Sequence, residues 1–184
     1  MIFSFFKKDP TADRANTLYA QIAEQARLPY FFEKWAAPDT VEGRFEILTV
    51  HMHLALRRLK RDDKNLSQAV FDVFFKSMDD AMREMGVGDM VIGRKIRGLA
   101  EAFYGRVGVY EEALEGADQE KLADAITRNV FEAETHVSAG DIAQYVMACE
   151  DAISAQSLSD IIASGFAFTD PAAVQRLPAE EPAE

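Results

Sequence analysis

Residues 78–110 read MDDAMREMGVGDMVIGRKIRGLAEAFYGRVGVY, two helical patterns meeting across a glycine-punctuated turn. The first pattern runs out at Met85 and the second takes over near Arg94. Gly86 falls where a helix C-cap needs a left-handed residue, which glycine supplies without a Cβ clash. The segment VGDMVIG that follows is apolar but short and interrupted, so it predicts a loop. Val87, Met90, Val91 and Ile92 should therefore plug a core or meet a partner. Beyond it, Ile96, Leu99, Phe103, Val107, Tyr110 and Leu114 recur every three or four residues, the period of one helix face. Gly98, Ala102 and Gly105 form a small-residue stripe beside them. Each glycine costs a helix about 1 kcal/mol relative to alanine. With Gly108, the stripe predicts close helix packing, a break near Gly105, or the approach of a partner's backbone.

Upstream, Leu66, Val70, Phe74 and Met78 form one i,i+4 stripe, and Phe71, Phe75 and Met82 a second beside it. The polar face is narrow, so this helix is expected at the centre of a bundle. Its phenylalanines and methionines could instead line a groove, since methionine adapts to varied apolar surfaces. Asn65 and Gln68 provide its capping pattern. Before it, Phe45, Leu48, Met52, Ala55 and Leu59 mark a long amphipathic helix, with Asp39 as cap and Glu42 reaching back. Arg57, Arg58, Lys60 and Arg61 close that helix, where cations suit the negative end of its dipole. An earlier helix spans residues 11–27, and Pro29 opens PYFFEKW, whose aromatic residues call for burial.

Towards the C-terminus, residues 116–118 form a turn, and Leu122, Ile126 and Val130 mark a further helix. Ser138 with Asp141, and Ser157 with Asp160, are capping-box patterns before two more. The pattern predicts an all-α fold: a single-domain irregular helical bundle with a C-terminal helical extension. Its parts are an apolar and basic arm over residues 1–10, a helical domain over 11–168, and a disordered acidic tail over 169–184.

Charge is unevenly distributed over the 184 residues, whose net charge is −11. Residues 1–115 hold 17 basic and 18 acidic side chains, whereas residues 116–184 hold 3 and 13. The acidic third disfavours direct nucleic-acid contact. The opening MIFSFFKK places its apolar run before its lysines, the reverse of a signal peptide, and predicts a cytoplasmic chain. Phe3, Phe5, Phe6, Lys7 and Lys8 could dip into an anionic membrane surface, or the phenylalanines could pack on the domain.

Catalytic chemistry is hard to find. The single Cys149 excludes an internal disulfide and a cysteine-based zinc site, and its apolar stripe predicts a core residue. His51 and His53 point about 200° apart on a helix, so they cannot share a metal. Both are expected at the surface or its boundary. No Glu-x-x-His pair of a di-iron protein occurs, although Glu132 and His136 could pair four apart on a helix. No phosphate-cradling or nucleophile-elbow motif occurs either. No catalytic residue, metal or cofactor is assigned, and the chain is not expected to be an enzyme. What remains is charge: a basic cluster from Arg57 to Lys64, another at Arg94, Lys95 and Arg97, and acids along the helix between. These could be a solvated surface or a docking surface that steers a partner.

Four strings follow one another in a fixed order: PDTVEGRF (38–45), RFEILTVHMHLALRRLK (44–60), FDVFFKSMDDAMREMGVGD (71–89) and AFYGR (102–106). Together, over about residues 19–114, they resemble the ubiquinol–cytochrome c chaperone family, helical assembly factors of respiratory complex III. The resemblance implies a non-enzymatic chaperone that binds newly made cytochrome b. It also implies, from mitochondrial members, a small co-chaperone and contact with the ribosome. The chain is similar to bacterial members, acting in the cytoplasm near the inner membrane. Outward-facing residues of the shared strings are expected to bind the client: Asp39, Arg44, Arg83, Asp89, Arg94, Tyr104 and Arg106. Alanine at Asp89 or Arg106 is expected to weaken binding without unfolding the domain. The alternative is a helical adaptor at the membrane surface with a different client.

Overall fold

The computed structural model describes residues 10–174, so the arm's Phe3, Phe5, Phe6, Lys7 and Lys8 lie outside the described residues. The order is α1 (Pro10–Ala26), α2 (Pro29–Glu33), α3 (Val41–Asp62), α4 (Lys64–Glu84), α5 (Asp89–Glu115), α6 (Gln119–Val130), α7 (Ala139–Ala155) and α8 (Leu158–Ser164), then a 3₁₀ turn at Pro171–Ala173. No strand occurs among the described residues.

The central helix is α3, which packs against α1, α4, α5, α6 and α7. Every residue from Phe45 to Ala55 is buried, so its polar face is enclosed as thoroughly as its apolar one. The cap at its start is Thr40, not Asp39: the Thr40 side chain accepts from the Gly43 amide at 3.1 Å. Gly43 lets the incoming chain cross the helix, since a Cβ there would stand 2.0 Å from the Pro38 carbonyl oxygen. At the other end Asp63 serves two helices. Its amide donates to the Leu59 carbonyl at 2.8 Å, and its carboxylate accepts from the Leu66 amide at 2.9 Å. Asp63 therefore takes the capping role that Asn65 and Gln68 suggest, which closes the α3–α4 connection with no loop.

Helix α4 is flanking rather than central. Leu66, Val70 and Phe74 are fully buried, but Phe71, Phe75, Met78 and Met82 are half-buried. It ends as its sequence predicts. Gly86 has φ +78°, its amide donates to the Arg83 carbonyl, and the Val87 amide donates to the Met82 carbonyl. This doubly bonded left-handed turn satisfies two of the helix's orphan carbonyls. Helix α5 then starts at Asp89, five residues before the expected Arg94, so Met90 to Gly93 are helical rather than looped. Of the apolar residues there, Ile92 is buried while Met90 is 94% exposed. Helix α5 is unbroken through Gly105, and a Cβ at Gly98, Gly105 or Gly108 would meet nothing within 4 Å. Among the described residues no close packing against those glycines occurs.

The C-terminal helices complete the core, with α6 against α5 and α7, and α7 against α3. At residues 116–118 the chain turns as expected, although the left-handed position falls to Ala117 (φ +48°) rather than a glycine. The Ser157–Asp160 capping box forms, whereas Ser138 caps α7 without a side-chain bond. Residues 169–174, which composition assigns to the tail, are placed against the domain. Pro171 is buried, and Gln25 donates to the Thr169 carbonyl at 3.1 Å.

Both α3 histidines are buried, correcting the surface expectation: His51 is 1% exposed and His53 3%. The His51 ring sits among Phe31, Tyr145 and Phe168. Its Nδ1 lies 2.7 Å from the Ile47 carbonyl and its Nε2 2.8 Å from the Tyr145 hydroxyl. The carbonyl can only accept, so Nδ1 carries the proton and Nε2 accepts from Tyr145. Burial holds both His51 and His53 at a pKa of about 4, so both are neutral near neutral pH. Glu132 and His136 do not share a helix, because α6 ends at Val130 and His136 stacks on Phe131 instead.

Candidate functional site

The wide apolar arc of α4 is the starting point. A two-faced helix can be covered on one side by α1 and α3, but its second stripe turns partly away from them. Met78, Met82 and Met85 line the resulting groove, and Met85 is 65% exposed. Phe45 and Leu48 of α3 and Leu99 and Ala102 of α5 provide the other walls. The groove encloses about 620 Å³.

A carboxylate lies among its lining residues. The Glu46 side chain is 7% exposed, and Arg106 donates to it at 2.5 Å from Nε. Desolvation raises the Glu46 pKa above its ordinary value, against the lowering effect of Arg106. Arg106 also donates to the Ala102 carbonyl of its own helix at 3.2 Å. Arg106 therefore turns inward, with 27% of its side chain exposed, and does not face outward as expected.

Arg44 also lines this groove. Its Nε donates to Asp39 at 2.5 Å, and its guanidinium lies 4.8 Å from the centre of the Phe32 ring. Arg44 and Arg106 thus line one cavity, and Asp39 is tied to it only through its pair with Arg44. Arg83 pairs with both Asp79 and Asp89, fastening the tip of the α4–α5 hairpin just past Met85. Arg94 is exposed on the first turns of α5. Tyr104 stands apart on the opposite flank of α5, 61% exposed, against Phe71 and Phe103.

Sequence reasoning missed Glu46, whereas the methionines of α4 line a groove as the alternative reading of that helix allowed. Glu46, His53 and Arg57 fall along one side of α3 at spacings of seven and four, a polar strip interrupted only by Val50. That strip was the available signal for a buried polar face. Among the described residues no group of three or more His, Cys, Asp or Glu could hold a metal ion. No described helix is long and apolar enough to cross a membrane.

Comparison with known proteins gives the family. Residues 33–168 match the family described as ubiquinol-cytochrome C chaperone, a longer stretch than residues 19–114. The chain is 25% identical over 120 residues to ubiquinol-cytochrome-c reductase complex assembly factor 1 of Xenopus laevis, covering 64% of this chain and 60% of the relative. The Homo sapiens protein of that name matches at the same identity over 40% of its length. The crystal structure of the Cbp3 homolog from Brucella abortus superposes with a TM-score of 0.82 at 34% identity. That superposition covers 95% of this chain and 100% of the other. The chain belongs to the ubiquinol-cytochrome C chaperone family.

Proposed function

We propose that this chain is a non-catalytic assembly chaperone of the ubiquinol–cytochrome c reductase complex, and that it holds an apolar helix of newly made cytochrome b in the groove between α1, α3, α4 and α5. The observation that carries this reading is the methionine-lined wall of α4, left open in a chain of this family. Methionine side chains are unbranched and polarisable, so one groove can fit several apolar helix faces. Residues near the mouth suit the same task. Arg44 lines the groove and uses only its Nε on Asp39, leaving guanidinium donors for a client, and the Arg83–Asp89 pair ties the end of α4 to the start of α5. Release then needs only a competing subunit that covers the client's apolar face, with no chemistry by the chaperone.

The test is capture of cytochrome b, made by cell-free translation in mild detergent, on the immobilised full chain. Met82→Glu places a charge on the groove wall and should reduce capture at least about tenfold while leaving the helical spectrum intact. Lys60→Glu, on the far flank, should leave it unchanged. Equal capture by Met82→Glu and the parent chain would overturn the reading. The arm at Phe3, Phe5 and Phe6 would keep the chaperone at the membrane where its client emerges. Flotation with anionic vesicles, with and without residues 1–9, reads that contact directly.

A further inference from the structure

A second groove lies on the opposite flank of the α4–α5 hairpin, separate from the methionine-lined one. It encloses about 760 Å³ between α3, α4 and α5. Leu56, Phe71, Phe103 and Val107 contribute its apolar surface. Its rim is basic: Lys60, Arg61 and Lys64 line one wall, at the junction of α3 and α4.

The other basic residues nearby are already engaged. Arg57 donates to Glu150 at 3.0 Å and pairs with Glu111, and Arg58 donates to Asp62 and the Gln156 carbonyl. Arg61 reaches Ser154 at 3.3 Å and stands 4.0 Å from Glu150. Among the described residues no ion pair engages Lys60 or Lys64, and both are exposed. The opposite wall carries Glu111 and Glu115. Glu111 is held by Arg57, and Glu115 alone faces the two unpaired lysines, so the rim keeps a net positive charge concentrated on the α3–α4 side. His53 provides a polar point within the lining. Its side chain is 4% exposed, and its Nε2 approaches Glu111 to 3.3 Å without closing a hydrogen bond.

The geometry points to a docking site for an acidic amphipathic helix of a partner protein. Charge complementarity and shape together select this occupant. An occupant needs apolar side chains on one face, for the phenylalanines, and carboxylates beside them, for the lysine wall. From Tyr104 to Glu115 the α5 wall is about 17 Å long at 1.5 Å per residue, which matches about three turns of helix. A flat anionic bilayer would meet the lysines but leave the recessed apolar surface unfilled. Tyr104, exposed at the rim against Phe71, is placed to close over such a helix. The site is independent of the client groove, so either can fail alone.

The experiment is selection of a phage-displayed library of helical 15-residue peptides against the full chain. Enriched peptides should carry Asp or Glu beside Leu or Phe at i,i+3 and i,i+4 spacing. A synthetic winner, followed by fluorescence anisotropy, should bind at least about tenfold more weakly to Lys60→Glu/Lys64→Glu. It should also weaken with added salt, and bind Met82→Glu as it binds the parent chain. Both lysines are exposed, so the double variant should keep the parent's helical spectrum and unfolding midpoint. No enrichment, enrichment without acidic residues, or winners indifferent to the lysine changes would overturn the proposal. Loss of binding to phosphatidylglycerol vesicles alone, with peptide binding intact, would overturn it in favour of a membrane contact. Concentration-dependent self-association abolished by the same double change, without peptide selection, would overturn it in favour of a second copy.

Discussion

Replacing Arg106 by alanine removes the partner of a carboxylate that is 7% exposed. Breaking a fully buried ion pair from one side costs about 3–5 kcal/mol, because the remaining charge is left without compensation. Arg106 is 27% exposed, so water already screens part of this pair, and about 2–3 kcal/mol is expected. The variant has one means of relief, which is to protonate Glu46. For a carboxyl that titrates near 4.3 when unfolded, that route costs at most about 5 kcal/mol at pH 8 but only about 1 kcal/mol at pH 5. Burial already raises the Glu46 pKa in the parent protein, and losing Arg106 removes its first-ranking opposing influence. With the folded pKa above the unfolded one, the folded state binds more protons in between. Stability of the variant therefore falls as pH rises from about 4.3 through the folded value. The deficit against the parent chain should be about 2–3 kcal/mol at pH 8 and about 1 kcal/mol or less at pH 5. Urea unfolding followed by the fluorescence of Trp35, the single tryptophan and 4% exposed, measures both. Glu46→Gln combined with Arg106→Met should recover most of the loss, because it leaves no charge behind. A deficit below about 0.5 kcal/mol, or one that does not change with pH, would mean that the pair is solvated and Arg106 is a surface residue after all.

Three further outcomes follow from other parts of the bundle. Tyr145→Phe removes the donor to His51 Nε2 and a partner of Gln25, and should cost about 1–2 kcal/mol by the same urea assay. His51 and His53, each held at a pKa of about 4 by burial, keep the folded state from binding protons that the unfolded chain takes up near 6.5. Stability should thus be full above pH 6.5 and fall by about 3 kcal/mol per histidine towards pH 4, and His51→Gln should flatten that slope in a pH series of urea midpoints. Gly43→Ala would put a Cβ 2.0 Å from the Pro38 carbonyl oxygen and should lower stability by about 3 kcal/mol, whereas Gly108→Ala, in open space on α5, should raise it by about 0.5–1 kcal/mol, both read as shifts in thermal midpoint.

Much of the helix order is readable residue by residue. The three-and-four spacing of Phe45, Leu48, Met52, Ala55 and Leu59 is local, and so is the left-handed requirement that Gly86 meets at the end of α4. The Ser157–Asp160 box closes within four residues and forms as read. Where two capping residues compete, local reading falters. Asp39 and Thr40 both can cap α3, and Thr40 takes the amide because Asp39 is drawn to Arg44. The start of α5 was hidden for a similar reason. Gly88 and Gly93 lower helix propensity across residues 88–93, yet the burial of Ile92 draws the first turn into helix.

Most of the helices, the Gly86 and Ser157 boundaries, and membership of the ubiquinol-cytochrome C chaperone family are legible in the sequence. These depend on interactions within a turn or two and on the order of short strings. Which polar side chains are enclosed depends on tertiary packing. A periodic pattern identifies an apolar face, but it does not say how many neighbours a helix has. Helices α1, α4, α5, α6 and α7 pack around α3 and α2 sets Phe31 against His51, so Glu46, His51 and His53 are buried along with the apolar face. That enclosure turns Arg106 inward towards Glu46, while the half-covered α4 leaves its methionines lining an open groove.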